Sequence, residues 1–179
     1  MGKVYEKLEK ATKEFIGKQK LFFVGTAPLN KDGLINLSPK GFDSFRILDD
    51  HTVAYIDLTG SGVETIAHLK ENQRITFLFC AFEGPPKLVR LYGEGQVYER
   101  DCAAFNALKT LFPDYMSARA IIKVNLTRIA DSCGYTVPLY EFKTDRDTMK
   151  KWVTHKGAEG LVNYRIEKNK KSIDGLPGL

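Results

Sequence analysis

The chain has few of the residues that build disulfide frameworks or metal centres. Its 179 residues include three cysteines and three histidines, scattered along the chain without the spacing of a zinc or redox motif. An odd number of cysteines without an export signal points to reduced thiols, and Cys80, inside an apolar run, is interpreted as a small core residue. We therefore expect no metal site.

Long apolar runs are missing as well. No segment has the length of a membrane-spanning helix, and the N-terminal sequence MGKVYEKLEKATKEF is charged where a signal peptide is apolar. Gly2 does not begin an N-myristoylation motif, because the sixth position is Glu6 and not serine or threonine. These features predict a cytoplasmic protein.

The composition is that of an ordinary globular protein. Hydrophobic residues make up 43% of the chain and charged residues 27%, which suits one domain with a sizeable core. The net charge is +5, and residues 143–171 carry an excess of that same size. Two interpretations of this basic segment stay open. It is a solvated helical face, or a rim that attracts an anionic ligand or nucleic acid.

Short strand-like runs separated by turns fill the middle of the chain. Six or seven strands with only short helices between them favour a closed or nearly closed antiparallel β-barrel. The predicted strands are residues 21–27, 34–37, 46–48, 52–57, 74–82, 88–98 and 120–129. The predicted helices are an N-terminal one through Val4, Leu8, Ala11 and Phe15, then 63–71, 101–112 with Asp101 as N-cap, 147–156 and 159–168.

Two loops between these strands collect small, hydroxyl and basic residues. The first contains Ser38, Lys40 and Gly41, and the second reads TGSGVET and opens a helix. Free N–H groups at a helix start, and the positive end of its dipole, favour an anion. Together with Lys40 and with Arg90 on a later strand, these groups suit a phosphate-bearing ligand.

The order of these segments resembles the pyridoxamine 5′-phosphate oxidase-like proteins, in particular an uncharacterised branch with an SPKG-type loop. The matching sequences are SPKG, LDDHTVAYID, GSGVETIAHLKEN, RITFLF and LVRLYGEG, and the resemblance spans residues 20–126. It implies a single FMN-binding domain, mainly β, built as a six- or seven-stranded antiparallel split β-barrel. The barrel core is expected at residues 20–130, with flanking helices and a helical C-terminal extension at residues 140–179.

The same resemblance implies an activity, a partner and a set of flavin contacts. We expect an oxidoreductase with FMN as cofactor, acting on an unidentified small molecule, and a homodimer with the cofactor pocket at its interface. Backbone groups of residues 42–45 or 55–57 are candidates for hydrogen bonds to the flavin ring. The expected cofactor-binding residues are Ser38, Lys40, Gly41, Tyr55, Asp57, Ser61, Gly62, Thr65 and Arg90.

The second loop departs from the family pattern at one position. Many members carry a basic residue directly after its serine, where that residue meets the phosphate. Here Ser61 is followed by Gly62, Val63 and Glu64. Loss of a cation and gain of a carboxylate predict weaker phosphate binding.

Alternatives remain for the function and for single residues. No catalytic acid, base or nucleophile stands out, which suits a flavin enzyme because the cofactor carries the redox chemistry. The same feature suits a module that binds a flavin or haem without turnover. A third interpretation uses the basic C-terminal helices to bind DNA or RNA. As structural alternatives, Ser61 and Thr65 cap a helix, Arg90 pairs with a carboxylate, and Tyr55 belongs to the core.

Overall fold

The computed structural model describes residues 2–179 and contains one curled antiparallel sheet with four helices. The strands are β1 (Val4–Tyr5), β2 (Phe22–Thr26), β3 (Asn36–Lys40), β4 (Phe45–Ile47), β5 (Thr52–Leu58), β6 (Arg74–Cys80), β7 (Leu88–Glu99) and β8 (Ala118–Ser132). The helices are α1 (Lys10–Lys18), α2 (Glu64–Asn72), α3 (Ala103–Lys109) and α4 (Thr148–Lys168). No helix among these residues is long and apolar enough to cross a membrane.

The sheet curls until its two edges meet. Its strand order is β3-β2-β6-β7-β8-β5-β4, with β1 added to β8, and every pairing is antiparallel. The ring of Phe22 on β2 lies 5.1 Å from that of Phe45 on β4 and 5.9 Å from that of Tyr55 on β5. Side-chain packing therefore closes the barrel where no ladder of hydrogen bonds does. This confirms the predicted antiparallel split β-barrel with flanking helices.

Alternating side chains give the sheet a buried inner face and a more open outer face. Along β2, Phe22 and Val24 are buried, whereas the residues that follow each of them, Phe23 and Gly25, are partly exposed. β6 follows the same rule, with Ile75, Phe77 and Phe79 buried and the residues between them partly exposed. Each fully buried large apolar side chain contributes roughly 1.5–3 kcal/mol. The inner face therefore provides most of the driving force for this fold.

Helix α2 packs against the barrel through an apolar face that Gly95 of β7 helps to accommodate. Ile66 and Leu69 of α2 are buried in the main core. A Cβ at Gly95 would lie 2.9 Å from the Leu69 side chain, so glycine lets α2 approach β7 closely. The register between β7 and β8 shifts between Tyr92 and Gly93, as the glycine spacing predicts for a bulge. The bend at this point helps the long strand to curl.

The C-terminal segment folds back over α2. Helix α4 is interrupted at Gly157, which has φ 65° and ψ 178°, so the predicted break between two helices is confirmed. After α4 the tail turns back on itself, with a bridge between Lys171 and Pro177. Leu179 packs against the main core, and the Lys70 ammonium of α2 donates to the Gly178 carbonyl. The tail is therefore part of the packed structure.

Three local predictions were wrong. Val4 does not start a helix, because Val4 and Tyr5 pair with the far end of β8 and α1 begins only at Lys10. The second strand is displaced toward the C-terminus, so Ser38 and Lys40 lie in β3 and not in a loop. Helix α3 is capped by Cys102, whose Sγ accepts from the Phe105 N–H at 3.3 Å. The predicted cap, Asp101, has a left-handed φ of 73°.

Candidate functional site

Polar side chains fill the gap between the edge strand β3 and the strand β5 that faces it. Along β3, Asn36, Ser38 and Lys40 turn toward the barrel interior, while Leu37 and Pro39 are exposed on the other face. We use the name polar seam for Asn36, Ser38 and Lys40 of β3, Tyr55 and Asp57 of β5, and Thr65 and His68 of α2. Five of the nine predicted site residues are members of it, namely Ser38, Lys40, Tyr55, Asp57 and Thr65.

A fully buried carboxylate, Asp57, anchors one end of the polar seam. Its Oδ1 accepts from Lys40 Nζ at 3.0 Å, and its Oδ2 accepts from Arg119 Nε at 2.7 Å. Arg119 is also buried, and its Nη1 donates to Asn169 Oδ1 at 2.9 Å. Burial raises the pKa of Asp57, but the charges of Lys40 and Arg119 outweigh it and hold that pKa below its usual value. Asp57 therefore stays ionised, and two cations share its single charge.

A chain of neutral groups occupies the other end of the polar seam. Ser38 Oγ donates to Asn36 Oδ1 at 2.8 Å, and Asn36 Nδ2 lies 3.1 Å from Thr26 Oγ1 and 3.0 Å from Thr65 Oγ1. Thr26 Oγ1 in turn contacts Nδ1 of His68 at 3.0 Å. Burial lowers the pKa of His68, and nearby carboxylates oppose this only in part. This end of the seam is therefore polar but uncharged near neutral pH.

Tyr55 is completely buried and belongs to the core, which agrees with the alternative interpretation of this residue. Its ring packs edge-on against Phe22 and against Phe77, with 5.8 Å between the Tyr55 and Phe77 centroids. Its hydroxyl has no hydrogen-bond partner among residues 2–179. Burial first, and the charge of Asp57 second, raise the pKa of Tyr55 well above its usual value. Because β5 pairs with strands on both edges, residues 42–45 remain the backbone candidates for contacts to a flavin ring.

The loop before α2 lies beside the polar seam and is held by the C-terminal segment. Asn169 Nδ2 donates to the Gly60 carbonyl at 2.9 Å and lies 3.4 Å from the Ser61 carbonyl. Arg165 Nη1 donates to Thr59 Oγ1 at 3.2 Å. Asn169 is completely buried and also contacts Arg119, so it connects this loop with the ion pair of the seam.

No side chain among residues 2–179 caps the start of α2. Ser61 and Gly62, which precede it, are exposed, and Thr65 accepts from Asn36 instead of capping the helix. The first N–H groups of α2 are therefore available to an acceptor from outside the helix. At the other loop, Gly41 follows β3, and its carbonyl accepts from Ser44 Oγ at 2.6 Å in the turn toward β4.

Comparison with known proteins gives this site a family context. The family model for pyridoxamine 5′-phosphate oxidase matches residues 8–133. The chain belongs to the pyridoxamine 5′-phosphate oxidase family. A relative from Aspergillus flavus, the pyridoxamine 5′-phosphate oxidase family protein ustO, is 38% identical over 192 residues, which cover 98% of this chain and 77% of that protein. The resemblance found in the sequence is thereby confirmed.

Solved structures share the fold at low sequence identity. A variant of HupZ from Group A Streptococcus is 23% identical with a TM-score of 0.54, and the match covers 70% of this chain and 99% of that one. A protein from Clostridium acetobutylicum, related to general stress protein 26 of B. subtilis in the pyridoxinephosphate oxidase family, is 14% identical with a TM-score of 0.53. That match covers 78% of this chain and 94% of the other. Both support the split-barrel architecture.

One predicted site residue of this family member lies apart from the others. Arg90 lies on the outer face of β7, in register with Leu78 of β6 and Ala130 of β8. Its Nη1 donates to Ser132 Oγ at 3.0 Å. Two strands, β2 and β6, separate it from Lys40 on β3. Within one chain, Arg90 and the polar seam therefore occupy different faces of the sheet.

The sequence analysis did not identify three residues that contact Asp57 or the loop before α2, namely Arg119, Arg165 and Asn169. Arg119 carried a signal, because it interrupts the apolar run ARAIIKV of β8. Arg165 and Asn169 carried none, since their role depends on how α4 docks. The basic C-terminal segment gave only a general preference for anions, and the structure brings one of its arginines to the loop before α2.

Proposed function

We propose that this chain binds FMN at the polar seam and acts as a flavin-dependent oxidoreductase on a small molecule. The observation that carries the proposal is the sharing of one buried carboxylate, Asp57, between Lys40 and Arg119. The surplus positive charge lies beside the uncapped start of α2. Cations and free N–H groups of this kind fit a phosphate ester. Membership of the pyridoxamine 5′-phosphate oxidase family supports a flavin as the carrier of that phosphate.

The residues present fit the parts of FMN in different ways. Lys40, which is partly exposed, and the N–H groups at the start of α2 would hold the phosphate. Gly41 and Gly62 leave room for the ribityl chain, and the backbone of residues 42–45 would meet the ring edge. Bound flavin would supply the redox chemistry, while the chain binds and orients it.

A binding module without turnover is the second candidate. It is favoured by the absence of a free acid or base among the seam residues described. Asp57 is paired through both oxygens, Tyr55 lies in the core, and His68 is buried. Anaerobic mixing with NADH or NADPH separates the two candidates. Loss of the visible absorbance of oxidised flavin supports the oxidoreductase, whereas reduction by dithionite alone supports the binding module.

We also propose that the chain forms a homodimer through the outer face of the sheet and its β3 edge, where Lys40 is partly exposed, with the cofactor pocket at the interface. Two rows of residues cross this face in register: Leu37, Gly25, Thr76 and Tyr92, and then Pro39, Phe23, Leu78 and Arg90. Leu37 is 67% exposed on this largely apolar surface. A twofold partner is the commonest cover for such a face, and it would bring Arg90 into the interface. Light scattering at micromolar concentration tests this, with Leu37→Glu expected to give a monomer.

The test of flavin binding is direct. Purified protein is heated, and the released small molecules are identified by mass spectrometry. Release of FMN in near-stoichiometric amount is the expected result. If no flavin is released, the protein is titrated with FMN and followed by flavin fluorescence. Failure of both measurements would overturn the proposed function.

A further inference from the structure

Three arginines from distant parts of the chain lie near the loop that precedes α2, and the guanidinium groups of two of them, Arg119 and Arg165, contact it. The three are Arg100 after β7, Arg119 in β8 and Arg165 in α4, and we refer to them as the arginine cluster. The Arg100 N–H donates to the Arg119 carbonyl at 2.9 Å, so these two residues are neighbours across the sheet. Arg165 Nη1 reaches Thr59 Oγ1 at 3.2 Å, and Arg119 Nη1 lies 3.4 Å from the Gly60 carbonyl.

The negative charge near the arginine cluster does not balance its positive charge. Asp57 pairs with Arg119 but is shared with a second cation. Asp101 lies 3.8 Å from Arg100, and its side chain is 84% exposed, where an ion pair contributes little. Arg165 forms no salt bridge with any residue between 2 and 179. Its hydrogen bond at this loop goes to a neutral hydroxyl, which a stronger acceptor can replace.

The pKa of Arg165 reflects the same excess of positive charge. Burial first, then the neighbouring charges of Arg100 and Arg119, lower the pKa of Arg165, and only Asp101 opposes them. An anion bound here would relieve that repulsion, and a guanidinium fork is well suited to a phosphate.

The loop beside the cluster is open to a ligand. Ser61 and Gly62 are exposed, so this part of the loop is accessible to a ligand. The nearest acidic side chain of α2, Glu64, accepts from the N–H of Ile173 in the tail. Its other oxygen, Oε2, lies against Gly62 and has to move aside for an anion bound at that position.

We propose that the arginine cluster is an anion site for the phosphate of FMN, in which Arg165 supplies the cation missing after Ser61. This inference rests on the proposed function. Family members place that cation next in sequence, where this chain has Gly62. Here α4 brings the charge to the same loop from the other end of the chain. The C-terminal helix is then part of the ligand site.

The experiment compares three variants with the wild type. Arg165→Gln removes the charge, Arg165→Lys keeps it without the planar fork, and Lys151→Gln removes a charge from an exposed position of the same helix. FMN and riboflavin are titrated by flavin fluorescence, and melting temperature is followed in rising inorganic phosphate. We expect Arg165→Gln to weaken FMN binding roughly ten- to a hundred-fold, as for loss of a charge-assisted hydrogen bond, without changing riboflavin affinity. Arg165→Lys should recover part of the loss, and Lys151→Gln should resemble the wild type.

The contrary outcomes are distinguishable. If the wild type prefers FMN over riboflavin and Arg165→Gln keeps that preference, the inference is overturned while the proposed function stands. If the wild type binds neither flavin, the proposed function fails, and inorganic phosphate decides the anion site. A phosphate-dependent rise in melting temperature that Arg165→Gln abolishes supports the site, whereas an equal rise or none overturns it. If Arg165→Gln does not fold, Arg165→Met, which keeps an unbranched side chain without the charge, takes its place, and full FMN affinity with an unchanged phosphate response in that variant counts against the site.

Discussion

Both ends of β8 contain an ion pair that involves an aspartate, but the two pairs differ in how many cations surround the carboxylate. At the start of β8, buried Arg119 and Asp57 form an ion pair to which further cations are added. At its far end, Asp131 accepts from the Tyr5 hydroxyl at 2.5 Å and forms a 3.6 Å ion pair with Lys87. The first end has more cations than carboxylates. At the second end, Asp131 has one cationic partner, Lys87, and its other partners, the Tyr5 hydroxyl and the Lys3 N–H, are neutral.

This difference separates a structural ion pair from a ligand site. The Asp131 end connects the N-terminus to the sheet, because the Lys3 N–H also donates to Asp131 at 2.8 Å, and the Lys87 ammonium matches the charge of that carboxylate. The Arg119 end connects the C-terminal helix to the sheet through Asn169, yet positive charge remains unmatched. A protein gains no stability from surplus buried charge, so an anionic ligand is the natural complement.

The largest expected effect is on folding stability. Asp57→Asn should lower the free energy of unfolding by about 3–5 kcal/mol, because it leaves Arg119 buried without its counter-charge. Asp131→Asn should cost only about 1 kcal/mol, since its surroundings are partly solvated. Urea unfolding at neutral pH measures both. Equal losses would mean that the two ends are energetically alike.

The pH dependence of that stability follows from the sign of the Asp57 shift. Its pKa is lower in the folded chain than in the unfolded chain, so folding favours the ionised form. The stabilisation is present above the unfolded pKa and is lost as the pH falls through the folded pKa. The stability gap between the wild type and Asp57→Asn should therefore narrow on acidification. A gap that stays constant down to strongly acid pH would contradict this assignment.

Lys40 and Lys87 offer a matched pair for ligand binding. Lys40→Ala should weaken FMN binding by about 1–3 kcal/mol and leave riboflavin binding nearly unchanged, because only FMN carries the phosphate. Lys87→Ala, at the Asp131 end, should leave both affinities unchanged. Equal losses for FMN and riboflavin in Lys40→Ala would show that Lys40 does not meet the phosphate.

Arg90→Ala should also weaken FMN binding if the homodimer shares its pocket, and unchanged FMN affinity would remove Arg90 from the site.

The smallest effect concerns one phenol at the Asp131 end. The hydrogen bond to Asp131 first, then burial and nearby carboxylates, raise the pKa of Tyr5 to about 12. Difference titration of the wild type against Tyr5→Phe, followed by ultraviolet absorbance, isolates this group. In an Asp131→Asn background the pKa should move back toward 10.0. A Tyr5 that titrates normally in the wild type would show that Asp131 does not hold the N-terminus.

Local sequence patterns predict most strands of the barrel, and the local predictions that were wrong have physical reasons. Alternating apolar residues identified the main strands, because one face of each is buried. The small, hydroxyl and basic residues of SPKG predict a loop, yet the segment belongs to β3, an edge strand, where the missing N–H of Pro39 is tolerated. Val4 has helical spacing to Leu8, but pairing with Ala130, distant in sequence, decided its conformation.

The candidate site was predictable only in part. Lys40 is predicted from the basic and hydroxyl residues of its segment and Asp57 from the family resemblance, but their pairing depends on closure of the barrel between β3 and β5. Asp57 and Arg119 are 62 positions apart, so no local pattern joins them. Arg165 lies farther still from the loop it contacts, and only the docking of α4 brings it there.

Mapping of bound FMN on the isotopically labelled protein tests the contrast between the two ends most directly. Amide resonances are recorded by two-dimensional NMR during a titration with FMN, with riboflavin as the control. We expect the largest shifts at Ser38 to Gly41, at Thr59 to Thr65 and at Arg165, and we expect the phosphate-dependent part to be confined to these three places. Shifts restricted to Tyr5, Lys87 and Asp131 would place the ligand at the opposite end and contradict the account.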